Sequence, residues 1–537
     1  VTAVRTPPVA PRLRRDRRRW AWGLGGVAVL GWSLAGAGLF SGPVVNPAGV
    51  RQFGRFASAA LSPAHDAEFL GVLAEATLVT VAYAALGAAL AVALGAIGAV
   101  GLARTTWGRR RAGWTVSRSL LAVPRGLHEA VWGLLLLNVL GLDPWVGVLA
   151  IGIPYGAVTA KVFADLLDEV PRGGYEALLA AGAGRGSAAL YGLLPSAAGG
   201  LLSYSFYRLE CAVRSAVVLG LIGAGGLGYQ LALSFASLRW EQVWAAVYAL
   251  AALCMLADLG GRAVRRRVAA PRPAGGQAPT RDPLLTGAVV GSLALMAWSW
   301  WFLALTPATL TAGRTLDQLG YVLRAAWPPA ADGDLLAAVA VAAVDTVQMS
   351  VIAIALATAS ALGVSGLAAR RPGAGPGRWA LGAGIRFALL LLRAVPPPVW
   401  ALVLLFVLLP GVLPGALALG VYTLGVLGRL VAEATEEVDP RPRASLRVAG
   451  ASRLGGWLYG VLPALSGPVL ALALYRWEVA IRDTVLVGLL GAGGIGVLLS
   501  GRIAAFDWAA VTTVLATIVL LSLAVDLLSE RTRTALR

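Results

Sequence analysis

Long apolar runs alternate along the chain with short polar segments rich in arginine. In order, the runs predict twelve spans, at about 21–40, 70–102, 118–140, 145–166, 196–221, 241–261, 284–305, 336–369, 383–409, 413–434, 464–490 and 508–529. Most reach or exceed the roughly 20 residues with which a helix crosses the hydrocarbon layer. Uncharged runs of this length satisfy their backbone in lipid only as helices, so the expected fold class is an all-α polytopic membrane protein. An even number of spans places both termini on one side. The segments on that side carry Arg12 to Arg19, Arg104 with Arg109 to Arg111, Arg262 with Arg265 to Arg267, Arg370 with Arg371, Arg441 to Arg453, and Arg531 to Arg537. The opposite loops hold only Arg51, Arg55, Arg239, Arg314, Arg324 and Arg502. That asymmetry orients both termini to the cytoplasm. The run from Ala21 to Phe40, led by arginines, has the outline of a signal peptide but is long and lacks an evident cleavage site, so a retained first span is expected.

Composition narrows the class of function. Of 537 residues, 58% are hydrophobic and 13% charged, and the mean hydropathy is +0.75, values that exclude a soluble enzyme. The formal charge of +18 raises the possibility of a nucleic-acid partner. The arginines fall at span ends, however, and no basic stripe with interleaved aromatics lies outside the spans, so none is expected. The abundance of Arg over the lone Lys161 reads as a GC-rich genome. Cys211 and Cys254 sit in apolar runs and suggest neither a disulfide framework nor a metal site. His65 and His128 are the only histidines, no HExxH or GxxxxGK[ST] motif occurs, and no catalytic residue or metal ligand is assigned. Any energy from ATP must come from a partner.

The two halves repeat with an offset of 268. Tyr191-Gly-Leu-Leu-Pro195 returns as Tyr459-Gly-Val-Leu-Pro463, and Tyr207-Arg-Leu-Glu-Cys-Ala-Val-Arg214 as Tyr475-Arg-Trp-Glu-Val-Ala-Ile-Arg482. Residues 191–228 and 459–496 align without gaps at 19 identities in 38 positions, too many for unrelated apolar stretches. Lys161 to Val170 matches Arg429 to Val438, and Trp132 matches Trp400; pairing Pro124 with Pro396 requires four extra residues around Arg125 to His128. Between the sixth and seventh spans, Val268 to Pro283 has the Pro, Gly and Ala content of a linker. The expected organisation is a basic N-terminus (1–20), a first half (21–262), a linker (263–283), a second half (284–530) and a tail (531–537). Two direct repeats of about six spans share one orientation and leave a pathway between them, the construction of a transporter.

Glu176-Ala-Leu-Leu-Ala-Ala-Gly182-Ala, with Leu194-Pro195 beyond it, resembles the EAA loop of ABC importer permeases: Glu-Ala-Ala, three residues, Gly, then Leu-Pro. The second copy reads Ala444-Ser-Leu-Arg-Val-Ala-Gly450-Ala, so Ala444 stands where the motif has Glu, before Leu462-Pro463. The YRxExxxR and GAGG(L/I)G segments together resemble the phosphonate-type permeases of that superfamily, which import phosphonates, phosphite or related oxyanions. The resemblance covers most of both halves, excepting the first and seventh spans and the linker. It implies a type I importer permease fold with both permease domains fused, in a bacterial plasma membrane. It implies a substrate-binding protein on the outer face and two copies of an ATPase, each using MgATP, docked on the loops at Glu176, Ala177, Gly182 and Pro195 and at Ala444, Gly450 and Pro463. Importers of methionine or an osmoprotectant share this construction, and an ion-coupled secondary transporter is the alternative of another class.

Arg208, Glu210, Arg214, Arg476, Glu478 and Arg482 fall within spans, where an unpaired charge costs roughly 2.5 to 3.5 kcal/mol. Glu210 and Arg214 are four apart, as are Glu478 and Arg482, and each pair can close on one helix face. Arg208 and Arg476 are then surplus, suited either to a dianionic oxyanion or to a structural tie between helices. Further charges are Glu75 and Asp345, near repeat-equivalent positions beside Thr77 and Thr346; Arg125, His128 and Glu129; and Arg393. Glu129 lies near Trp132 where Pro397 lies near Trp400, so the second half lacks that carboxylate. The runs Gly223, Gly225, Gly226, Gly228 and Gly491, Gly493, Gly494, Gly496 satisfy a dinucleotide-binding pattern. Each follows an apolar span rather than a strand, so a tight re-entrant turn at the external mouth is expected instead.

Overall fold

The computed structural model describes residues 17–39, 43–104, 111–269, 282–370, 373 and 375–536. The basic N-terminus up to Asp16, Arg109, Arg110, Arg371, Arg537 and the linker from 270 to 281 lie outside the described residues. The first half comprises α1 (Arg17–Gly36), α2 (Pro47–Ala59), α3 (Ala67–Leu102), α4 (Arg111–Leu120), α5 (Ala122–Gly126), α6 (Glu129–Leu140), α7 (Trp145–Glu169), α8 (Gly173–Ala180), α9 (Arg185–Ala224), α10 (Gly226–Ala236) and α11 (Trp240–Ala269). The second repeats it with α12 (Pro283–Phe302), α13 (Gly313–Ala325), α14 (Gly333–Ala368), α15 (Pro376–Ala394), α16 (Pro397–Val407), α17 (Val412–Glu437), α18 (Arg441–Val448), α19 (Arg453–Gly460), α20 (Leu462–Leu489), α21 (Ile495–Ala504) and α22 (Trp508–Leu536). Eight described helices are long and apolar enough to cross a membrane, and three bent pairs raise the number to eleven. The expected span at 21–40 is α1, whose apolar part, Gly23–Gly36, is shorter.

The bends have local causes. Between α15 and α16 the chain turns by 92° at Val395 and Pro396, where the proline run removes backbone donors and disfavours helix in the preceding residue. The first half turns by 82° at the same place without a proline, because the ring Nδ1 of His128 caps α6 by accepting from the Ala130 amide at 3.1 Å. His128 and Pro396 are thus equivalent caps at the offset of 268. Trp132 donates to the carbonyl of Pro124 at 3.4 Å and Trp400 to that of Leu392 at 3.3 Å, so Pro124 pairs with Leu392. Pro124 is therefore not the counterpart of Pro396, and the four extra residues which that pairing requires are not needed.

On α3 and α14 the offset is 266. The hydroxyl of Thr80 accepts from the Leu227 amide at 2.8 Å, and that of Thr346 from the Ile495 amide at 2.9 Å. Each bond ties the start of a re-entrant helix to the long helix before it. Glu75 and Asp345 are therefore not equivalents, because that register places Asp345 opposite Val79.

The N-terminal arms of the halves are exchanged. α1 packs along α14 of the second half, and α12 packs along α3 of the first. The indole of Trp145 donates to the Thr306 carbonyl at 3.0 Å, and Trp145 meets Trp300 edge to face. Val45 and Leu408 form an isolated antiparallel bridge, and Phe56 of α2 shares a core with Val395, Val399 and Val403. The division at the linker is consequently not a division in space.

Candidate functional site

Two repeat-related helices, α9 and α20, carry the intramembrane charges to the boundary between the halves. There a cavity of about 500 Å³ is lined by both halves. Its walls hold eight arginines, Arg125, Arg208, Arg214, Arg265, Arg393, Arg429, Arg476 and Arg482, against five carboxylates, Glu129, Glu210, Asp258, Glu433 and Asp483, so the lining is net positive. Arg208 is about 20 Å along its helix from Leu194, at 1.5 Å per residue, which places the charge deep in the span.

The carboxylates divide the arginines into two groups. Glu210 lies 3.6 Å from Arg214, 3.4 Å from Arg265 and 4.0 Å from Arg393. Asp258 lies 2.5 Å from Arg262, 3.5 Å from Arg393 and 3.7 Å from Arg429. Because Arg393 and Arg429 come from the second half, this network bridges the halves. Arg208 and Arg476 stand outside it: both are buried, and among the described residues neither has a carboxylate within 4 Å. Arg208 is held by aromatic rings, its guanidinium carbon 5.0 Å from the centre of Tyr155 and 4.8 Å from that of Tyr204, whose hydroxyl it also donates to. Arg476 sits 5.9 Å from the centre of Tyr422, which stands one residue before the repeat counterpart of Tyr155, and among the described residues its Nε and Nη2 have no hydrogen-bond partner. A buried guanidinium with no carboxylate in direct contact is costly, and an anion in the cavity would offset that cost.

The surplus expected of Arg208 and Arg476 is present, and so is the pair Glu210–Arg214. The pair Glu478–Arg482 does not form. Arg533 reaches Glu478 from α22 at 2.5 Å, and Arg482 turns to the boundary, donating to the backbone of Glu478 at 3.2 Å and of Arg125 at 3.0 Å. Helix spacing allowed the pair, but a neighbouring helix supplied a closer cation. The repeat counterparts of Arg393 and Arg429 are Arg125 and Lys161, and among the described residues neither has a carboxylate within 4 Å. The bridging network is thus closed on one side only. Tyr155, Tyr422, Ser215, Asp258 and Asp483 were missed as lining residues. For two of them the signal was periodic: Ser215 and Asp483 follow Arg208 and Arg476 by seven residues, on the same helix face.

The loops at the opposite ends of α9 and α20 behave alike in both halves. Glu176, Ala177 and Gly182 on the first, and Ala444 and Gly450 on the second, are exposed, as are Pro195 and Pro463 where the long helices resume. Gly182 and Gly450 end α8 and α18 at φ of 89° and 87°. In each, the amide after the glycine returns to a carbonyl five residues back, Ala183 to Leu178 and Ala451 to Leu446, both at 2.9 Å. At the other end, Gly223, Gly225 and Gly226 and their counterparts Gly491, Gly493 and Gly494 all have positive φ and form the expected turns. Gly228 and Gly496 serve a different purpose. A Cβ there would meet the carbonyl oxygen of Val217 or Val485, so only glycine lets the re-entrant helix touch its neighbour.

A polytopic all-helical chain with an internal repeat, a central cavity and paired exposed loops defines a transport permease. The family described as "Binding-protein-dependent transport system inner membrane component" matches twice, over residues 91–270 and 361–536. The chain belongs to that family, as two fused permease domains of the phosphonate type, and is a multi-pass inner-membrane transport component. It is 29% identical to the phosphate-import permease protein PhnE of Mycolicibacterium smegmatis, over 88% of this chain and 86% of that one. It is 35% identical to the phosphite transport system permease protein PtxC of Stutzerimonas stutzeri, over 35% of this chain and 66% of the relative. A putative cryptic phosphonate transport system permease, PhnE2 of Escherichia coli, is 39% identical over 22% of this chain and 96% of its own. No solved structure matches.

Proposed function

We propose that this chain is the permease of an ATP-driven importer for phosphonate, phosphite, phosphate or a related phosphorus oxyanion. The observation that carries the proposal is the pair of buried arginines, Arg208 and Arg476, facing one cavity with no carboxylate within 4 Å among the described residues. Guanidinium groups bind phosphoryl oxygens through forked, charge-assisted hydrogen bonds. The names of the relatives point to the same ligand class. In this reading an extracytoplasmic binding protein delivers the anion, and two ATPase subunits dock on α8 and α18 at the cytoplasmic face. ATP-driven closure of those subunits then alternates access to the cavity. The chemistry of ATP stays with the partners, and this chain supplies the path.

The test is uptake of labelled phosphite, phosphonate and phosphate, with methionine and betaine as comparisons, in cells with and without the chain. Uptake of an oxyanion should persist under an uncoupler and fall by about tenfold or more in Arg208→Ala/Arg476→Ala, given about 1.5 to 3 kcal/mol for each charged hydrogen bond lost. Uptake of methionine or betaine alone would overturn the ligand class. Uptake that collapses under the uncoupler with ATP maintained would move the chain to ion-coupled transport.

A further inference from the structure

Of the five carboxylates around the cavity, three are engaged by arginine. Glu210 and Asp258 hold the bridging network, and Glu433 pairs with Arg429 at 2.9 Å. Glu129 and Asp483 are different: both line the cavity, and among the described residues neither has an arginine within 4 Å. Their shared neighbour is His128, whose Nδ1 lies 3.5 Å from Glu129 and whose Nε2 lies 3.6 Å from Asp483. Since Nδ1 accepts from the Ala130 amide, the proton of a neutral ring sits on Nε2, toward Asp483. Glu129 also accepts from Ser215 at 2.6 Å, and Ser215 meets the Tyr155 hydroxyl at 2.6 Å. A polar chain thus runs from the ring under Arg208 through Glu129 and His128 to Asp483. Asp483 stands two turns along α20 from Arg476, about 10 Å by helix rise.

The placement is asymmetric. Glu129 has Pro397 as its repeat counterpart, and Asp483 has Ser215, so the two acids are not products of the symmetry that set the arginines. An anion path that contains two carboxylates with no described arginine within 4 Å disfavours any ligand that offers them only lone pairs. An anion that still carries an acidic proton can instead donate to them. We propose, on the strength of the oxyanion reading above, that Glu129 and Asp483 are specificity-determining residues that accept a hydrogen bond from the P–OH of a protonated phosphorus oxyanion held by Arg208 and Arg476. The cavity then favours hydrogen-bearing anions, such as hydrogen phosphate or the phosphite monoanion, over sulfate, which has no proton to give at neutral pH. Sites built around a substrate hydroxyl reject the analogue lacking it by factors on the order of 10⁴ where desolvation is complete, and a wet cavity should retain about a hundredfold.

The experiment is equilibrium binding of inorganic phosphite and of sulfate to the full chain in lipid nanodiscs, at neutral pH and fixed ionic strength. Wild type should prefer phosphite by about a hundredfold. Glu129→Gln/Asp483→Asn should bring the two anions within a few-fold, because amides donate to sulfate as well. Asp483→Ser installs the residue of the repeat counterpart and gives a second variant if the double substitution fails to fold. Equal binding of both anions by wild type, or an unchanged preference in the folded variants, would overturn the specificity role and leave the anion cavity standing. Absence of any anion binding that Arg476→Ala abolishes would overturn the cavity reading itself, and this proposal with it.

Discussion

At the scale of single residues, the same atoms do repeated work in the two halves. The hydroxyls of Thr80 and Thr346 each satisfy one buried amide at the start of a re-entrant helix. Thr80→Val keeps the shape and orphans the Leu227 amide, which should cost about 1 to 3 kcal/mol and lower the unfolding temperature of the purified chain; Thr80→Ser should restore most of it. Tyr422 tests the aromatic support of Arg476. Tyr422→Phe preserves the ring and should leave oxyanion uptake close to wild type, whereas Tyr422→Leu should lower it several-fold, since such a contact contributes about 0.5 to 2 kcal/mol. Equal uptake by the two variants would show that the ring is only a wall of the cavity.

At the scale of elements, the helices were legible because hydrophobic runs and arginine-rich breaks are strong, local signals. The exposed loops were legible too, because only glycine fits the turn that ends α8 and α18, and both copies kept it. Gly182→Val or Gly450→Val should strain that turn by about 1 to 2 kcal/mol and reduce co-purification of the partner ATPase, with Asn at the same place milder. Retention of the ATPase by both valine variants would remove these loops from the docking surface. Less legible was anything decided between elements. The spacing of Glu478 and Arg482 promised a pair, and Arg533 from another helix took the carboxylate. The break before α6 looked like an insertion because a capping histidine did there what a proline does in the second half. The lining residue Tyr155 carries no motif of its own, and only the packing of its helix against α9 shows that it faces Arg208.

At the scale of the whole molecule, the exchanged arms pack each half against the other. Chains ending at Ala269 and beginning at Asp282, expressed together, should co-purify through a tag on either one, because α12 still packs on α3 and α1 on α14. Recovery of the tagged piece alone would mean that covalent linkage, rather than the exchange, holds the pathway together. The exchange also imposes an order on assembly at the membrane. When the first half has been synthesised, the face of α3 against which α12 packs is still bare, and it is covered only once α12 emerges. Helix α1 waits longer, because Gly36 rests against Gln348, more than 300 residues downstream. A ribosome stalled at the linker would therefore leave a half whose spans are inserted but whose outer wall is missing, a natural substrate for membrane quality control.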